Sequence, residues 1–279
     1  MSEPKINVKP IRLLLSNAVA GGIAEPAPLR ERFAFLAAYV NDATRQRFGG
    51  SAGATDAVAL IALISDFLLL MQNLDAQYGA DRELPLIDAA GAVGEALRCL
   101  AELDTWLDRL DLSDKREILH AVQLGVGYWA MCHQLPVHAA EPIVNALAAQ
   151  SNRAATRQES AAVYALMQGF VHYLAPALRA DLERSNPERA WRLLNLNFAI
   201  TAIRTGDAAM MRFAFDTLNT HLPDDRAGFY EDAYALTSPP GFPPETRALI
   251  EAEYARWTRI HLENLDGLPG PLAGWQSNL

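Results

Sequence analysis

Apolar residues recur every three or four positions along most of the chain, which is the spacing of one face of an α-helix. Clear runs that alternate apolar and polar residues, as strands do, are not found. The pattern therefore predicts an all-α fold of about ten or eleven helices joined by short connectors.

Capping residues and prolines place the ends of these helices. The helix that begins near Thr55 is apolar on two sides, so we expect it to lie at the centre of the fold. Thr156 and Glu159 fit a capping box. Pro176 lies inside the helix that this box begins and is expected to kink it.

The domain organisation predicted from these signals is simple. Residues 1–22 form an irregular N-terminal segment, residues 23–266 a single all-helical domain, and residues 267–279 a mobile tail rich in Pro and Gly. Antiparallel hairpins can stack in series as a superhelix or wrap into one compact multi-helix bundle, and the pattern leaves both open.

One stretch, residues 185–223, carries the signals of a complete helical hairpin. Asn186 can cap its first helix, Gly206 offers a left-handed exit, Asp207 can cap the second helix, and Pro223 ends it. The pattern predicts two antiparallel helices joined by a tight corner.

This hairpin resembles a degenerate tetratricopeptide repeat. Small Ala199 in the first helix, with Phe215 and Leu218 in the second, matches that pattern, whereas Asn195 and Met211 depart from it. No clean second copy is found in the chain. The resemblance implies a helical scaffold that binds a protein or peptide in a concave groove.

Composition and net charge limit the classes of ligand that the protein can bind. The chain has 279 residues, 51% of them apolar, and a net charge of −9, which argues against nucleic acid or an anionic membrane as a ligand. Cys99 and Cys132 fall inside apolar helical patterns and are interpreted as free thiols of a cytoplasmic protein. The apolar stretch 57–74 contains Asp66, whose burial in a bilayer would cost about 2.5–3.5 kcal/mol, so a core helix explains it better.

Two motifs suggest catalysis or metal binding, and neither has the context it requires. Residues 49–53 read G-x-S-x-G, but a nucleophile elbow needs a strand before the serine, and here a helix precedes it. Glu117 and His120 form one Glu-x-x-His pair, which His133 can complete as a mixed metal site. Helix-end electrostatics explain Glu117 and His133 better than a metal site does, so no cofactor is predicted.

Polar residues on the predicted inner helix of the hairpin are the candidate binding residues: Asn195, Asn197, Thr201 and Arg204. Asp66 and Trp129 are added because a carboxylate or an aromatic residue in an apolar helix can face a cavity or groove. The acidic cluster that includes Asp232 is interpreted as a solvated helix start.

The favoured function is a non-catalytic helical scaffold that binds a protein or peptide between helical hairpins. The alternative is an all-helical small-molecule enzyme or carrier with an internal cavity, metal-dependent or not, that uses Asp66, Glu117, His120, His133 or His172. A third hypothesis, a structural subunit, predicts a homo-oligomer with exposed apolar patches.

Overall fold

The computed structural model of the chain describes residues 26–49, 52–80, 82–85, 88–182, 186–237 and 241–263. This part contains eleven α-helices, one 3₁₀ turn at Ser113–Lys115, and no strand, so the all-α prediction is confirmed. The helices are α1 (Pro26–Phe48), α2 (Ala52–Tyr78), α3 (Ala89–Arg109), α4 (Arg116–Cys132), α5 (Glu141–Arg153), α6 (Arg157–Tyr173), α7 (Pro176–Arg179), α8 (Ala190–Thr205), α9 (Ala208–His221), α10 (Arg226–Thr237) and α11 (Pro244–Glu263).

The helices pack in an order that follows the chain. Helices α1 to α4 form a closed ring in which α4 contacts both α3 and α1, as in a four-helix bundle. Helix α4 also contacts α5 and α6, and the packing then continues through α8, α9, α11 and α10. One cluster of buried apolar side chains extends from Leu29 in α1 to Ile250 in α11.

Helix α4 is the central helix, because almost every residue from Leu119 to Cys132 is buried. Two glycines let its neighbours approach closely. A β-carbon at Gly127 would lie 2.6 Å from Ile143 Cδ1 and 2.8 Å from Phe170 Cζ, and one at Gly125 would overlap Leu29. The absent side chains therefore make room for α1, α5 and α6.

The prediction that α2 lies centrally is wrong. Its inner side packs against α1 and α3, but its outer side exposes Val58, Leu63, Leu69 and Leu70. Asp66 is exposed on the same outer side, so it has no need of a buried partner or a cavity. Hydrophobicity on two sides of a helix does not ensure that neighbours cover both.

Helix ends predicted from local capping residues agree better with the structure than the predicted position of α2 does. Thr156 and Glu159 form the predicted capping box, in which the Thr156 hydroxyl accepts from the Glu159 amide at 3.2 Å. Gly206 adopts the left-handed conformation with φ 65°, and Asp207 caps α9. The first helix of the hairpin begins later than expected, at Ala190, since Asn186 caps a turn before it by accepting from the amide of Glu188.

Pro176 does not kink a helix, contrary to the prediction. Helix α6 ends at Tyr173, Leu174 is extended and forms a parallel bridge with Val137, and Pro176 then begins the short helix α7. The amide of Val137 donates to the Tyr173 carbonyl at 2.9 Å, so the break is held by backbone hydrogen bonds to the α4–α5 connector. The residue before proline avoids helical geometry, which explains the break.

Neither cysteine forms a disulfide, as predicted: Cys132 is buried and Cys99 is partly buried. Several predictions lie outside the described residues: the irregular segment 1–22, the tail 267–279, and Ser51 of the G-x-S-x-G motif. The helix that precedes this motif is present, because α1 extends to Phe48.

Candidate functional site

An apolar pocket lies between α8 and α10. Its volume is about 200 Å³, and two helices and the turn before α11 form its walls. The apolar lining consists of Ile200, Ile203, Phe229, Ala233, Leu236 and Phe242. We call this space the α8–α10 pocket.

Two charged side chains complete the lining of the α8–α10 pocket. Arg204 enters from α8 and donates to the Ser151 hydroxyl at 2.8 Å, and burial lowers the pKa of its guanidinium. Asp232 enters from α10. Burial and, to a smaller degree, the neighbouring charge of Glu231 raise the pKa of the Asp232 carboxyl.

Asp232 is the unusual member of this pair. Its Oδ2 atom is buried and has no hydrogen-bond partner in the part of the chain that the structure describes. A buried acceptor without a donor costs about 1–3 kcal/mol, so such an atom marks a place where a ligand donor would be stabilising.

Three of the four residues predicted to line the groove do not line this pocket. Asn195 is fully buried: its Nδ2 donates to the Trp191 carbonyl at 2.8 Å, and its side chain bonds to His221. Thr201 is also fully buried and donates to the Asn197 carbonyl at 2.7 Å. The prediction that Asn195 and Thr201 line a groove is therefore wrong, because their polar atoms find hydrogen-bond partners within the core.

Asn197 and Arg204 are only partly buried. The Asn197 amide donates back to the Leu193 carbonyl one turn earlier at 2.9 Å, and Asn197 does not line the pocket. Arg204 is the one predicted binding residue that the structure places in the α8–α10 pocket.

The hydrogen bonds of Asn195 determine the protonation of His221. Since Asn195 Nδ2 donates to a carbonyl, its Oδ1 is the acceptor that faces His221 Nδ1 at 2.8 Å, and Nδ1 therefore carries the proton. The ring also packs against Trp191 at a centroid distance of 4.7 Å. Burial and the charge of Arg179 lower the pKa of His221, so the neutral imidazole is favoured.

Trp129 belongs to a second polar cluster, which joins α2 to α4. Its Nε1 donates to Asp75 Oδ1 at 2.7 Å, and the same oxygen lies 2.8 Å from His133 Nε2. His133 Nδ1 lies 2.5 Å from the Arg82 carbonyl oxygen. Trp129 is 5% exposed and His133 is 0% exposed. The cluster is therefore a buried structural link, and Trp129 does not line a groove.

In the described part of the chain, the residues of the alternative mixed metal site do not come together. His133 lies at the opposite end of α4 from Glu117 and His120 and is held by Asp75 instead. Glu117 is exposed and pairs with Arg153 at 3.4 Å. Among the described residues no three His, Cys, Asp or Glu side chains are grouped as metal ligands would be. Burial lowers the pKa of His120, which suits a neutral core residue.

The sequence pattern favours a solvated helix start for Asp232, whereas the structure places it in the lining of the α8–α10 pocket. A signal for the pocket was present, because Phe229, Asp232, Ala233 and Leu236 follow the i, i+3, i+4, i+7 spacing of one helical face. A carboxylate inside such a stripe is a candidate for a buried site. The other acidic residue of interest, Asp225, pairs with Arg192 at 2.7 Å and holds the start of α8.

No protein-family model, curated protein or solved structure matches the chain. One described helical stretch, Asp56–Tyr78, has the length and composition of a membrane span, with a mean hydropathy of 1.9. Core helices of soluble proteins meet the same criterion, and 39% of its most apolar window is buried.

Proposed function

We propose that the protein is a non-catalytic helical scaffold for a protein or peptide partner, and that the α8–α10 pocket receives one bulky side chain of that partner. The observation that carries this proposal is the pocket itself, an apolar space with one buried carboxyl oxygen that has no donor among the described residues. A cytoplasmic location and a homo-oligomer stay predictions from the sequence.

The size of the pocket favours a side chain over a whole small molecule. Sites for small molecules usually have about 300–1,000 Å³. The α8–α10 pocket, at about 200 Å³, is smaller than that range. Protein interfaces commonly gain most of their affinity from a few aromatic or arginine anchors that fill such pockets.

The lining indicates the chemistry of the anchor. Phe229 and Phe242 provide an apolar wall, and Asp232 Oδ2 provides an acceptor. A tryptophan or tyrosine of the partner combines a large apolar ring with one N–H or O–H donor, which is the combination that this lining can satisfy. Arg204 can bond a carbonyl or carboxylate of the same partner.

The alternative is a carrier or enzyme for a small apolar amine. A desolvated carboxyl in an apolar pocket, as at Asp232, is also the arrangement that ligand sites use. Native mass spectrometry of the purified protein distinguishes the two functions, because a carrier is expected to retain a ligand of defined mass, whereas a peptide-binding scaffold is not.

A pocket-filling variant tests the proposal. Peptides selected from a display library against the full chain are expected to share a tryptophan or tyrosine. Ala233→Leu places a larger side chain inside the pocket and is expected to weaken those peptides at least tenfold in fluorescence polarisation. Ala235→Leu makes the same change on the exposed side of α10 and should leave affinity within twofold.

Two results would contradict the proposal. One is a library that yields no peptide with an aromatic anchor. The other is equal affinity of the selected peptides for the wild type and for Ala233→Leu, when circular dichroism shows that both proteins are folded.

A further inference from the structure

A second space lies next to the α8–α10 pocket, between α10 and α11. Its volume is about 330 Å³, and it is lined by Tyr234, Thr237, Pro244, Arg247, Ala248 and Glu251. We call it the α10–α11 groove. Residues that are close in the chain separate the two spaces, because Leu236 and Phe242 line the pocket whereas Thr237 and Pro244 line the groove. Consecutive Cα atoms are about 3.8 Å apart, so one short segment of a partner can reach both spaces.

The α10–α11 groove presents one pair of opposite charges. Arg247 and Glu251 lie one helical turn apart on α11, and both are exposed. Neither side chain forms an ion pair or a hydrogen bond with another described residue. An acidic residue four positions after a basic one is the less favourable order for pairing within a helix, which agrees with this observation. The groove therefore offers a hydrogen-bond donor and an acceptor that a partner can use.

We propose that the partner binds as an extended segment, with its anchor in the α8–α10 pocket and its main chain bonded to Arg247 and Glu251. This inference rests on the proposed function. In an extended chain the N–H and C=O groups of one residue point to the same side, as they do where paired residues of antiparallel strands exchange both bonds. Side chains four apart on a helix have Cβ atoms about 5–6 Å apart, so Arg247 can donate to that carbonyl while Glu251 accepts from that N–H.

The lining of the groove suits a main chain better than a charged side chain. The charges of Arg247 and Glu251 oppose each other, so a charged side chain of either sign would meet a like charge as well as an opposite one. A peptide group is neutral and carries both a donor and an acceptor. The Tyr234 ring, stacked on Tyr254 at a centroid distance of 4.6 Å, gives the groove a fixed wall. A helical partner is disfavoured, because its main-chain groups bond to one another.

Replacement of single backbone N–H groups in the partner tests the proposal. A selected peptide with an aromatic anchor is resynthesised with an ester in place of each amide within about four residues of the anchor, since an extended chain advances about 3.3 Å per residue. Fluorescence polarisation with the full chain gives the affinities. We expect one ester to weaken binding to the wild type at least fivefold, because it removes the N–H that Glu251 accepts.

Glu251→Ala identifies the acceptor. The same ester should change affinity for this variant less than twofold, because the acceptor is already absent. Glu102→Ala is the matched control, since it removes an exposed glutamate from α3 and should keep the fivefold loss.

Three results would overturn the extended segment and leave the anchor pocket standing, because Ala233→Leu tests that pocket independently. They are equal losses for the wild type and Glu251→Ala, no loss from any ester, and tighter binding of a helix-stapled form of the same peptide. A library without aromatic anchors would overturn this inference together with the proposed function.

Discussion

The cluster formed by Asp75, Trp129 and His133 gives the sharpest stability prediction. One carboxylate oxygen of Asp75 accepts from Trp129 Nε1 at 2.7 Å and lies 2.8 Å from His133 Nε2. The Asp75 side chain is 15% exposed, and that of His133 is 0% exposed. Asp75→Ala removes the acceptor of both groups and leaves α2 without its polar link to α4.

The magnitude follows from the two groups left without a partner. Each buried donor that loses its acceptor costs about 1–3 kcal/mol, so the change should lower the free energy of unfolding by about 2–6 kcal/mol. Because Asp75 is partly exposed, water can reach the space that it leaves, and we expect about 3 kcal/mol. Asp75→Asn keeps an acceptor oxygen in place and should cost about 1 kcal/mol.

Urea unfolding at pH 7, followed by circular dichroism and by tryptophan fluorescence, measures these differences. Asp66→Ala is the matched control, because Asp66 lies on the same helix but is exposed, and such a change should stay within about 0.5 kcal/mol of the wild type. The reasoning is refuted if Asp75→Ala and Asp66→Ala unfold at the same urea concentration.

Two further predictions concern the core and pH. Gly127→Ala should destabilise the fold by about 1–3 kcal/mol in the same urea assay, because its β-carbon would lie 2.6 Å from Ile143 and 2.8 Å from Phe170; an unchanged midpoint would contradict the packing of α4. Burial lowers the pKa of His120 and His221 in the folded state below the unfolded value of 6.5, so the unfolded chain binds more protons and stability should fall as pH decreases below about 6.5. Thermal unfolding at pH 7 and pH 5.5 checks this, and His221→Gln should make the decrease smaller; an equal decrease in both proteins would contradict it.

Structural features that depend on only a few neighbouring residues were predicted correctly. The capping box at Thr156 and the left-handed corner at Gly206 depend on hydrogen bonds and backbone angles within one turn, so the sequence contains all the partners involved. The kink predicted at Pro176 was wrong because a proline is compatible with two local structures, a kinked helix and the start of a new helix. The bridge between Leu174 and Val137, which are distant in the chain, favours the second.

Burial was predicted less well. Hydrophobicity alone placed α2 at the centre, whereas the glycines of α4 and the surrounding helices put α4 there. The same limit applies to the site. Arg204 was a candidate from its helix, but Asp232 lines the same pocket only because the tertiary fold brings α8 and α10 to opposite walls of it.

The sequence by itself determined the helical class, most helix ends and the hairpin corner, because apolar spacing and capping are properties of neighbouring residues. Only the tertiary structure decided which helix is central, which polar side chains are satisfied in the core, and where a pocket remains open. The physical reason is that burial depends on the partners a helical face meets, and those partners come from distant parts of the chain.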